Sequence, residues 1–186
     1  MWIAIIVIVV LVLLVAFVVI GFNKLRTSDV AADEALGGID VQLTRRADLI
    51  PNLVETVKGY AAHEKGVFEE ITKARAHLQT AAAGDSVPDK AAADAQLAGA
   101  LVNLNAVAEA YPDLKANTNF QELQRQLAET ENQISFARQY YNDAVATLNK
   151  QVVTIPWMFF TGIANVHKRE FYDAPEGHDV APTVKF

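Results

Sequence analysis

The His63-Glu64 pair begins to spell a zinc-hydrolase motif. In HExxH, one helical face carries two histidines that hold Zn²⁺ while the glutamate acts as general base. Position 67 is Val67, so the second ligand is missing. His63 and His77 are separated by about four helical turns, too far to share an ion. His167 and His178 stand near the end of the chain without a ligand-spaced cluster. Each histidine therefore reads as a surface residue. There is no glycine-rich phosphate loop, GxSxG elbow or paired-carboxylate motif. With no cysteine, a thiolate metal site, a cysteine nucleophile and a disulfide framework are all excluded. The residues thus point to no enzyme, metal or cofactor. A net charge of −6 argues against nucleic acid as a partner, because phosphate binding needs a basic surface.

Some charges do fall on apolar stripes. Glu64 follows Val57 and precedes Phe68 in helical register, and Glu131 and Arg138 flank Ile134. A buried charge without a partner costs several kcal/mol, so these residues demand partners. If the helices that carry them run parallel, the offset that joins Glu64 to Arg138 also brings Glu131 near Lys58. The expectation is a Glu64–Arg138 interhelical pair that fixes register, in preference to a polar ligand site.

The elements that would position these residues begin at the N-terminus. Residues 2–22, WIAIIVIVVLVLLVAFVVIGF, contain no charged side chain. As a helix the run spans roughly 30 Å, one hydrocarbon core. It lacks the basic n-region and small-residue cleavage site of a signal peptide, so it reads as a membrane anchor with Trp2 and Phe22 at the two interfaces. Lys24 and Arg26 just beyond it favour an N-terminus outside and a cytoplasmic body, on the inner cell membrane.

The remainder reads as helix. Gly37-Gly38 predicts an interruption, since each glycine costs about 1 kcal/mol against alanine in a helix interior. Pro51 lacks an N–H and its ring crowds the carbonyl of Ala47, which predicts a kink or a fresh start there. The stripe Leu53, Val57, Ala61, Phe68, Ile71, Leu78 predicts one helix from Pro51 to about Ala82. AAAGDSVPD (81–89) is a turn, with Pro88 suited to the first turn of the next helix. That helix ends at Pro112, and Asn119 with Glu122 has capping-box spacing for another that runs to about Val153. Arg45 and Arg46 point about 100° apart on a helix, so at most one faces the bundle. A solvated face is the preferred reading, with Asp40, Asp48 or nearby carbonyls as alternative partners.

The fold class expected is all-α: an antiparallel bundle of long helices behind a single N-terminal transmembrane helix. Its segments are an anchor (1–23), a juxtamembrane stem (24–50), the bundle (51–155) and an aromatic-rich tail (156–186), a short helix followed by an extended strap. Trp157, Phe159, Phe160, Phe171 and Tyr172 in that tail are either a partner surface or a plug for one end of the bundle.

Three blocks then carry a family resemblance. IDVQLTRRADLIPNLVETVKGYAAHE (39–64), KANTNFQELQRQLAETENQISFARQYYNDAV (115–145) and IPWMFFTGIANVHKREFYDAP (155–175), with the terminal VKF and the FN at 22–23, resemble the LemA family. The resemblance covers nearly the whole chain. It departs from the family pattern at RTSDVAADEALGG (26–38), which is acidic where relatives often carry a basic segment. It implies a prokaryotic membrane protein with one N-terminal span, a small external N-terminus, a helical bundle and no catalytic residues to carry over. Through magnetosome-associated relatives it also implies a part in organising or remodelling membranes. Arg45, Arg46, Asp48, Pro51, Asn52, Glu131, Asn132, Arg138, Tyr141 and Asn142 become signatures of fold or assembly. The function expected is a non-enzymatic scaffold that meets the lipid bilayer and forms a homo-oligomer. The alternative is a monomeric adaptor or regulator of another membrane protein, such as a peptidase or quality-control factor.

Overall fold

The computed structural model describes residues 1–172, and those residues are all-α, with no strand among them. Helix α1 runs from Trp2 to Lys58, α2 from Lys65 to Ala82, α3 from Val87 to Glu109, α4 from Pro112 to Lys115 and α5 from Thr118 to Val153. A 3₁₀ turn, Trp157–Phe160, leads into the short α6, Thr161–Ala164. The chain divides into two compact units, one of residues 1–37 with 139–171 and one of residues 38–138 with Tyr172. The long helices α1 and α5 contribute to both.

In the second unit the seams repeat every 3.5 residues. On α1 the buried positions include Ile39, Leu43, Arg46, Ile50, Leu53 and Val57, in alternating steps of four and three, with Ala47 and Val54 beside them. On α5, Phe120, Leu127 and Ile134 are buried at intervals of seven. This period keeps a helix facing its partner along its length, as in coiled-coil packing. Tyr60 with Asn117 (3.0 Å) and Arg46 with Glu131 (2.7 Å) set α1 antiparallel to α5. His77 with Gln96 (2.7 Å) and Glu70 with Asn103 (3.1 Å) do the same for α2 and α3. Ser86 caps α3 by accepting the Asp89 N–H at 3.3 Å, with Pro88 in the first turn.

Several boundaries differ from expectation. The helix expected over 51–82 is two helices, because the chain turns at 59–64, beginning at Gly59. The carbonyls of Glu55 and Val57 accept the N–H groups of Gly59, Tyr60 and Ala61 and close the end of α1, and α2 folds back against it. Gly37-Gly38 does not interrupt α1, and Pro51 does not restart it. The cap of α5 is Asn117, whose Oδ1 accepts the Phe120 N–H at 3.0 Å, rather than Asn119.

The mid-helix proline has a specific compensation. Pro51 cannot donate to Ala47, four residues back, and Ala47 is fully buried. Its carbonyl instead accepts Nε of Arg75 from α2 at 2.9 Å. A charged donor thus occupies the vacated place and joins α2 to α1.

In the first unit the apolar run of α1 is exposed along nearly its whole length, and it is long and apolar enough to cross a membrane. Past it, Leu25 and Ala32 of α1 and Tyr141, Val145 and Leu148 of α5 are buried. Asn165 ends α6 in the left-handed conformation (φ 50°), which asparagine tolerates. The strap beyond it is tied to α5. Asn149 accepts the Arg169 N–H and donates to the Arg169 carbonyl, both at 2.9 Å, and the Tyr141 hydroxyl donates to the Glu170 carbonyl at 2.9 Å.

The Arg75 bond has a measurable signature. Arg75→Ala should cost about 1–3 kcal/mol, the penalty of an unsatisfied buried carbonyl. In a Pro51→Ala background the new N–H can bond Ala47, so the same change should cost much less. A double-mutant cycle by urea denaturation checks the coupling.

Candidate functional site

The densest polar chemistry in the second unit is a charge cluster among three helices. Asp94 of α3 is buried, and its carboxylate accepts Nη1 of Arg46 (α1) at 2.7 Å and Nη2 of Arg138 (α5). Arg46, itself buried, also pairs with the half-exposed Glu131 of α5 at 2.7 Å. A second pair lies nearby in sequence: Lys90, fully buried at the start of α3, donates to Asp40 of α1 and to the Ala82 carbonyl at 3.0 Å. Burial opposes the charge of Arg138, but the acidic groups around it, Asp94 foremost, together outweigh it and raise the guanidinium pKa. The Tyr172 ring lies 5.1 Å from the Arg138 guanidinium carbon. Burial, then the Asp94 charge, push the Tyr172 phenol well above its ordinary value.

The expected Glu64–Arg138 pair does not form. Glu64 occupies the N-cap position of α2, in the turn after α1, and so lies on no continuous stripe; Arg138 bonds Asp94 instead. Arg46 is the arginine that faces inward, while Arg45 is exposed, and a solvated face holds only for the latter. The partners of Arg46 are Asp94 and Glu131, neither of which was among those expected. Asp94 and Lys90 escaped notice because they sit in an alanine-rich stretch, KAAADAQLAGAL, whose small residues hide the stripe. Signals were nevertheless present: Asp94 falls between Lys90 and Leu97 in helical register, where a charge requires a partner.

Of the other signature residues, Tyr141 is buried, Asn142 is half-buried, and Asp48, Pro51, Asn52 and Asn132 are exposed. His63, His77 and His167 are exposed; His178 and the terminal VKF lie outside the described residues. No cluster of three metal-ligating side chains exists among the described residues. A groove of about 720 Å³ between α1 and α2 is open and lined by Lys58, Lys65, Lys73, Phe68 and Glu69.

The aromatic tail is used differently in each unit. In the first, the Phe160 ring meets Phe17 edge-on, with centroids 5.2 Å apart, and lies against Gly21 so closely that a Cβ there would overlap it. Lys24 Nζ stands 4.4 Å from the Trp157 ring centroid. Phe159 and Phe171 are exposed, as are Trp2 and Phe22 on α1. The acidic stem has a partner from the tail: Arg169 binds Asp29 at 2.7 Å and Asp33 at 2.5 Å.

Residues 35–186 match the model of the LemA family. The chain belongs to that family. Among curated relatives, two of Paramagnetospirillum magneticum named Magnetosome protein MamQ 1 and MamQ 2 are each 24% identical, over 88% of this chain and 69% of theirs. Magnetosome protein MamQ of Magnetospirillum gryphiswaldense is 25% identical, over 88% of this chain and 70% of its own. This LemA-family chain therefore shares its length with those relatives well beyond a local motif. The cluster Arg46–Asp94–Arg138–Glu131 falls inside the family match, as does the aromatic tail.

Two outcomes follow from the cluster. Asp94→Ala leaves two arginines facing each other without their shared carboxylate and should cost about 3–5 kcal/mol, whereas Arg46→Met/Asp94→Leu/Arg138→Met should cost far less. Urea unfolding of the detergent-solubilised chain compares them. The raised phenol pKa of Tyr172 means that the folded chain retains that proton longer than the unfolded one. The associated stability is complete below the ordinary tyrosine pKa of about 10 and declines as pH rises past it. An absorbance titration should show a late-ionising phenol that Tyr172→Phe removes.

Proposed function

We propose that this LemA-family protein is a non-enzymatic, membrane-anchored helical scaffold that self-associates and so organises or remodels the membrane. The carrying observation is that one uninterrupted helix, α1, supplies both the exposed apolar run and a full side of the helical body. The charges that could have made a polar reaction site are turned on one another: Arg138 and Arg46 on Asp94, and Glu131 on Arg46. This arrangement favours a structural cluster over catalysis.

Self-association draws support from α1. Val41, Arg45, Asp48 and Asn52 are all exposed and recur at steps of four, three and four, so they share one outward face of the helix that a second copy could meet. Three of the four belong to the family signature identified from sequence. Relatives named as magnetosome proteins support the part in membrane organisation that the family resemblance implies. Lys24 and Arg26, just past the apolar run, favour a cytoplasmic body and an external N-terminus.

The deciding measurement is the mass of the detergent-solubilised chain by size exclusion with light scattering, beside a version lacking residues 1–22. A defined assembly that survives loss of the anchor places the contacts in the helical body, and Arg45→Glu/Asn52→Lys should then dissociate it. A monomer in both forms, across mild detergents and in nanodiscs, refutes self-association.

A further inference from the structure

We propose that residues 155–163 form a second membrane-contacting element, a short apolar wedge that rests in the headgroup–acyl boundary beside the end of the transmembrane run. It rests on the reading of residues 2–22 as a bilayer span. Phe17 lies five residues inside Phe22, roughly 7 Å along a helix axis, and Phe160 touches both Phe17 and Gly21. The segment that carries Phe160 is therefore held at the level of the last turns of the span.

The other side of that segment faces outward. Ile155, Phe159 and Ile163 recur every four residues and are 73%, 66% and 63% exposed, with Met158 beside them. Phe160 and Ala164, also four apart, are the buried face against the first unit. Both faces are thus apolar. A short helical segment of a water-soluble surface would turn polar residues outward, but no charged side chain occurs between Lys150 and His167.

Aromatic and aliphatic groups arranged this way suit lipid at the boundary, where amphipathic elements bury their apolar face by about 5–10 Å. Trp157 fits the same level. Its ring stays half-buried with the Lys24 ammonium over it, as suits an indole at the interface and a lysine that reaches towards headgroups. The occupant of the patch is therefore the leaflet that the helix has just left. Continuity with the span distinguishes this from a protein-docking surface, since the patch adjoins a segment already surrounded by acyl chains.

The chain has no cysteine, which permits single-site labelling of the full-length protein. Phe159→Cys, Ile163→Cys, Val12→Cys and Val102→Cys are each made, spin-labelled and reconstituted in vesicles of phosphatidylcholine with a minority of phosphatidylglycerol. Power-saturation electron paramagnetic resonance then compares accessibility to oxygen, which concentrates in lipid, with that to a water-soluble nickel chelate. The expected oxygen-to-nickel ratio at 159 and 163 is several-fold above that at 102 and approaches that at 12. A ratio at 159 and 163 equal to that at 102, with 12 in lipid, overturns the wedge and leaves the span intact. Nickel access at 12 overturns the span, and the wedge with it. Shielding of 159 and 163 from both relaxants, with dipolar broadening between labels, assigns the patch to a second copy and also overturns the proposal. A Gly21→Leu change in the Phe159→Cys chain removes the seat of Phe160. It should move label 159 towards water by several-fold while circular dichroism holds steady, and an unchanged ratio would show that the seat does not set the depth.

Discussion

The Asp94 carboxylate, shared by guanidiniums from two other helices, sets the register of the second unit. An apolar seam with a seven-residue repeat is nearly degenerate: slide α5 by one heptad and one apolar side chain still meets another. The charges remove that freedom. Only one alignment brings Arg46 of α1 and Arg138 of α5 to Asp94 of α3 while Glu131 remains within reach of Arg46. Burial of ions is a weak source of net stability; what the cluster adds is a cost to misaligned packings, which separate Arg46 and Arg138 from their shared carboxylate. Lys90 repeats the device four residues earlier on α3, with Asp40 and the Ala82 carbonyl.

The same economy of donors and acceptors governs the places where the backbone departs from regularity. Pro51 frees a carbonyl in a fully buried position, and Arg75 occupies it from the neighbouring helix. The strap after α6 has no helix or strand to satisfy its backbone, and Asn149 and Tyr141 supply the missing partners from α5. In each case an irregular segment is held by a side chain from a regular one. The mid-helix proline and the return of the tail thereby become sites of attachment between elements.

Helix content, the apolar span, the turn at 81–89 and the all-α class were legible because each rests on local pattern: periodicity, capping residues and turn formers. The pairing of charges was less so. Glu64 lies in apparent phase with Val57 and Phe68, and nothing local distinguishes a stripe that continues from one that folds back at Gly59. The partner of Arg138 was hidden in an alanine-rich helix, where small buried residues weaken the contrast between faces. Asp29 and Asp33 read as an acidic departure from the family pattern, and their partner, Arg169, lies some 140 residues away. Contacts of such separation leave no trace in a single sequence, and the meeting of Phe160 with Phe17 is of the same kind.

Two points on α1 hold the returning tail: Gly21, against which Phe160 lies, and Asp29, which binds Arg169. They stand eight residues apart on one continuous helix, and their partners stand nine apart in the tail. One residue added to that stretch of helix would turn the upper point about 100° away from the lower and lengthen the span between them by about 1.5 Å. A tail of fixed length could then meet one point or the other. The side chains between Gly21 and Asp29 are free to vary wherever they face outward, but their number is not. Chains that share this arrangement should drift in composition here while remaining free of insertions and deletions.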